Sequence, residues 1–107
     1  MANSAADRAL ISTIATEIAR AKSLPDAELA ALGETGTSFQ VVVAGKSYDI
    51  NTWSEPVAGD SSGTFVVLVG AWRKLWFGFA KHHFRGFIVL PNSSRADIPE
   101  SDLWQYD

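Results

Sequence analysis

The chain contains no cysteine among its 107 residues. That excludes a disulfide framework, a thiolate metal site and a cysteine nucleophile. No stretch approaches the roughly 18 consecutive apolar residues of a membrane-spanning helix. The opening residues, MANSAADRALIST, lack a basic start and a continuous apolar run, so no secretory leader is read there. These absences give the expectation of a soluble, cytoplasmic protein with no membrane partner.

Catalytic motifs are missing too. Gly59-Asp60-Ser61-Ser62-Gly63 has neither the lysine nor the following helix that a phosphate-binding loop requires. His82 and His83 are the two histidines, and neighbours on a strand point to opposite faces, so they cannot share a metal without a bulge. No serine or aspartate stands beside them at the spacing of a nucleophile and its base. The acids of Asp97, Glu100 and Asp102 are accounted for by solvation and helix capping. The chain is therefore read as not an enzyme, with no catalytic residue, no metal and no cofactor.

The remaining absence is of acid in one region. Residues 61–96 carry Arg73, Lys74, Lys81, Arg85 and Arg95 without a single Asp or Glu, a net charge of +5, while the rest of the chain is at −8. Segregation of this kind gives two faces of opposite sign if the segments stay apart in space. If acidic helices lie over a basic sheet, the charges neutralise each other instead.

What is present is enough for one domain spanning residues 1–107. A chain of this length buries roughly two-thirds of its unfolded surface, and 47% of the residues are hydrophobic. Leu10, Ile11, Ile14, Ile18 and Ala21 recur at helical spacing, which predicts an amphipathic helix over about 4–22. Pro25, Asp26 and Glu28 suit the start of a short second helix ending at Gly33. Phe39, Val41 and Val43 alternate with Gln40 and Val42, and Tyr48, Ile50 and Thr52 resume the alternation. This predicts a hairpin with Gly45-Lys46 as its turn, pairing Val43 with Tyr48 and Val41 with Ile50. Ser54–Gly63 reads as a loop.

Gly63–Pro91 then holds seven of the twelve aromatic residues. It reads as a strand at 65–69, a turn at 70–75, a strand at 76–84, a break at Gly86 and a strand at 87–90. Asp97 and Pro99 suggest a short C-terminal helix at about 98–104, docked by Leu103 and Trp104. The expected fold is two-layer α+β: the N-terminal amphipathic helix and the short second helix packed on a four- to five-stranded antiparallel meander.

One signal bears on function. On the strand at 76–84, strict alternation groups Phe77, Phe79, Lys81, His83 and Arg85 on one face, beside Trp72, Arg73 and Lys74 at the preceding turn. Trp76 lies on the other face, and Trp53 at the end of the hairpin is read as partly exposed. Trp and Arg are enriched in interface hot spots. The candidate binding residues are thus Trp53, Trp72, Arg73, Lys74, Trp76, Lys81, His83 and Arg85. The protein is read as a small binding protein of inhibitor, immunity or adaptor type. Its expected partner is another protein, and a second copy covering a long apolar edge is a variant of that reading. The alternative is nucleic-acid binding through the same surface, by base stacking and phosphate contact.

Overall fold

In a computed structural model, described over residues 5–57, 63–75, 77–99 and 102–103, the chain is α+β. Two helices, α1 (Ala5–Lys22) and α2 (Asp26–Leu32), precede five strands: β1 (Thr37–Val43), β2 (Lys46–Pro56), β3 (Phe65–Leu75), β4 (Gly78–Val89) and β5 (Arg95–Asp97). All neighbours are antiparallel and the spatial order β1-β2-β3-β4-β5 is the chain order.

Helix α1 forms where its periodicity demands. Leu10, Ile14 and Ala21 are fully buried, and Glu17 completes the same stripe. Leu10 and Ile14 pack with Tyr48, Ile50, Val69 and Ala71, while Ala21 joins Leu29 of α2 over Val67, Phe87 and Val89. Glu17 is only 6% exposed. Its carboxylate accepts hydrogen bonds from the buried Thr52 hydroxyl (3.2 Å) and from both Nε and Nη2 of Arg20. The bond to Glu17 holds the Arg20 guanidinium above its ordinary pKa.

The first hairpin forms with a different turn. Its turn residues are Ala44 and Gly45, with φ of 51° and 77°, and β1 pairs with β2 as Val43↔Lys46, Val41↔Tyr48 and Phe39↔Ile50. Two successive positive φ values make a type I′ turn, whose twist matches that of the strands. The expected pairing slips by two residues, which leaves every side chain on its expected face.

Glycines read as punctuation prove to be packing positions. Strand β3 runs straight through the expected turn at 70–75. A Cβ on Gly70 would lie 3.2 Å from the Trp72 indole nitrogen and 3.5 Å from the Trp53 ring, so its bare backbone makes room for two indoles. Strand β4 likewise continues through Gly86, where a Cβ would meet Leu68 Cδ2 at 2.6 Å and the Val67 carbonyl oxygen at 2.9 Å. The strands expected at 76–84 and 87–90 are therefore one. The fifth strand is instead Arg95–Asp97, which pairs with Val89–Phe87.

The face opposite α1 carries its own cluster: Trp53, Val66, Leu68 and Phe84, covered by Ile98 and Leu103. Of the C-terminal helix expected at 98–104, residues 100, 101 and 104 lie outside those described; Asp102 and Leu103 form a single turn, with the Asp102 amide bonded to the Pro99 carbonyl at 2.9 Å. The expected loop at 54–63 gives Ser54–Pro56 to β2, and residues 58–62 are outside the described set.

Candidate functional site at the open sheet edge

Among the described residues, those singled out from sequence fall in different places. Trp53, expected to be partly exposed, is 9% exposed. Its ring centroid is 5.6 Å from that of Phe84, and its Nε1 donates to Glu55 Oε2 at 2.8 Å. It is a core residue. Trp72 is half-buried on the face away from α1, where Ser38, Asp49, Asn51 and Trp72 line a shallow polar hollow of about 430 Å³. Trp76 and the side chains of Lys74 and Lys81 lie outside the described residues. Phe77, at the β3–β4 turn, is 71% exposed.

A β-bulge explains why the expected face does not hold together. Ala71 pairs with His83 but Trp72 pairs with Lys81, so His82 is an extra residue in β4. An inserted residue reverses the alternation. His83 and Arg85 stand opposite Ala71 and Val69, on the α1-covered face, whereas Lys81 is the register partner of Trp72. His83 Nε2 lies 3.5 Å from Asp7 Oδ1 of α1. Arg85 lines a cleft of about 340 Å³ with Ile11, Ala15, Ile18 and Lys22 of α1, and its Nη1 donates to the Phe84 carbonyl at 3.2 Å. By the same alternation half-buried Arg73 shares the Ala71 face, one residue off Trp72. The bases of 61–96 also meet acids from elsewhere in the chain: Arg95 pairs with Asp26, and His83 faces Asp7. Among the described residues these contacts, and not an acidic helical layer, are what partly neutralise the segregated charge: α1 itself carries Asp7 and Glu17 against Arg8, Arg20 and Lys22.

The two edges of the sheet are unlike. At one, β5 is three residues long, and its Arg95 and Asp97 are tied down. Arg95 bonds Asp26 and donates to the Leu24 carbonyl at 2.9 Å, and Asp97 pairs with Lys22. Short length and inward charge are standard protections of a sheet edge. At the other, β1 has seven residues, TSFQVVV, with neither charge nor proline. It bonds to β2 on one side, and among the described residues no element pairs with its other side.

Which backbone groups are left over follows from the turn. In a two-residue hairpin the residues flanking the turn exchange both hydrogen bonds, and the exchange recurs at every second pair. Val43, Val41, Phe39 and Thr37 therefore direct their N–H and C=O groups to β2. Those of Ser38, Gln40 and Val42 point away from the sheet. Phe39 is 44% exposed on the α1 side, although its neighbours Val41 and Val43 pack on the core, and Val42 is 72% exposed on the other. Nothing in residue types alone separates this strand from a covered one; the signal is that its seven uncharged residues follow directly on a helical region and so begin the meander.

Comparison of the chain with protein-family models, with curated protein sequences and with solved structures finds no match. No helix among the described residues is long and apolar enough to cross a membrane.

Proposed function

We propose that this is a non-enzymatic binding protein, of the inhibitor, immunity or adaptor kind, that recognises another protein by accepting an extended segment as an additional strand on β1. The observation that carries this reading is the open, uncharged seven-residue edge of β1 with Phe39 and Val42 exposed. In strand addition the main-chain bonds supply affinity and the alternate side chains supply selectivity. Here the outward groups of Ser38, Gln40 and Val42 offer the bonds, and Phe39 and Val42 offer one apolar contact on each face. The basic and aromatic residues of β3 and β4 contribute less to this reading than sequence suggests, because the bulge at His82 divides them. The same division separates Arg85 from the Trp72 face and so lends less support to nucleic-acid binding through one basic surface.

The test is binding of a fluorescein-labelled nonapeptide of alternating threonine and valine with lysine-capped ends, followed by anisotropy. Wild-type protein binds it. Gln40→Pro removes an outward N–H without touching the β1–β2 ladder, and Val42→Lys places a charge on the edge. Each weakens binding about tenfold or more, the equivalent of one lost hydrogen bond, with an unchanged circular dichroism spectrum. A peptide that binds both variants as it binds wild type overturns the proposal, as does one that never binds.

A further inference from the structure

We infer that the strand added to β1 is β1 of a second copy, antiparallel, with the twofold axis passing through Gln40. The inference rests on the strand-addition reading above and names its occupant. The constraint is geometric: outward-pointing residues must meet outward-pointing residues for their backbone groups to bond. With Gln40 opposite the partner's Gln40, Ser38 meets the partner's Val42 and Val42 meets the partner's Ser38. All three outward residues of each copy are then used, giving six backbone hydrogen bonds. A slip by two residues in either direction strands one outward residue on each copy.

The same register fits the side chains. On the α1 face Phe39 falls opposite the partner's Val41, and Val41 opposite the partner's Phe39, so the apolar row of β1 meets its own image. That covers Phe39, which is 44% exposed beside the core-packed Val41 and Val43 and has no other cover among the described residues. Identical strands usually meet like charge with like charge, and Thr37–Val43 carries none. The other edge favours this closed arrangement. A head-to-tail contact of β1 on a partner's β5 would repeat without end, but β5 offers three residues, two of them already held by Lys22 and Asp26. The dimer has a single continuous sheet of ten strands, twice the five of one copy. A strand pair this short stands at the small end of specific interfaces, so the association depends on concentration.

Sedimentation equilibrium from about 1 µM to about 1 mM, a range spanning weak association, shows a monomer–dimer equilibrium for wild type. Gln40→Pro, which removes two of the six bonds because each copy loses one N–H, and Val42→Lys, which places a charge on the edge, each shift it to monomer by about tenfold or more in dissociation constant. Register is read from spin labels on single cysteines at positions 40 and 42, whose side chains leave the sheet plane instead of entering the partner strand. Labels at 40 lie closer to each other than labels at 42, whose backbones are offset by four residues, about 13 Å. A protein monomeric throughout that range overturns the inference. So does a dimer insensitive to Val42→Lys, or one with the 42 labels at least as close as the 40 labels. If the monomer still binds the threonine–valine peptide in a Gln40-dependent way, strand addition stands and only the second copy is wrong. If it binds no peptide, both fall.

Discussion

Ala44 holds a φ of 51° at the first position of a type I′ turn, a region that side chains other than Asn, Asp and Gly enter at a cost of about 1–2 kcal/mol. Ala44→Asn is therefore expected to stabilise the protein by about 0.5–1 kcal/mol, read as a higher urea midpoint at unchanged slope. A lower midpoint would show that the turn is not the type I′ described. Glu17 makes the opposite case. Truncation to alanine leaves the buried Thr52 hydroxyl without its acceptor, and Glu17→Ala should cost about 1–3 kcal/mol. Adding Thr52→Val to that variant should recover part of the loss, since both partners are then gone; a further loss would contradict the account. Glu17 was not legible in the sequence because a carboxylate in an amphipathic helix is ordinarily assigned to water. Its spacing from Leu10, Ile14 and Ala21 was the available sign that it belongs to the buried stripe.

Elements defined by period were readable, and those defined by long-range packing were not. Helix α1 and the faces of β1 and β2 follow from spacing alone. The β3–β4 hairpin was divided wrongly because Gly70 and Gly86 look like breaks, when the first yields to Trp53 and Trp72 and the second to Leu68 and the Val67 carbonyl. The bulge at His82 has no local signature, and it decided which candidate residues share a face. The connection from β4 to β5 offers a test at the same scale. Its Ser93 hydroxyl donates to Asp26 at 2.8 Å, and Arg95 pairs with the same carboxylate, fastening the connection to the start of α2. The Ser93 bond first, and Arg95 second, hold the Asp26 carboxyl below its usual range. A depressed folded pKa means that this contribution is complete above the unfolded carboxyl value of about 3.9 and is lost as pH falls through the lower folded value. Asp26→Asn should thus lower the urea midpoint at neutral pH, and the gap to wild type should close at acid pH. A gap that stays constant from neutral to acid would show that the ionised carboxylate is not what fastens the connection.

At the scale of the whole molecule, the strands are joined in the order in which they occur, so every ladder forms between neighbours in the chain. Helix α1 departs from that local plan. Its stripe is buried against Val69 and Ala71 of β3, and its last turn, through Ala21, joins the cluster of Phe87 and Val89 near the far end of the chain. Contacts so distant in sequence close late, because the loop entropy must be met before they return anything. On a translating ribosome this helix leaves the exit tunnel before any strand exists to receive it. Leu10 and Ile14 then face water or a chaperone until β2 and β3 have emerged, and a nascent chain arrested before β3 presents them to whatever protease or holdase is near.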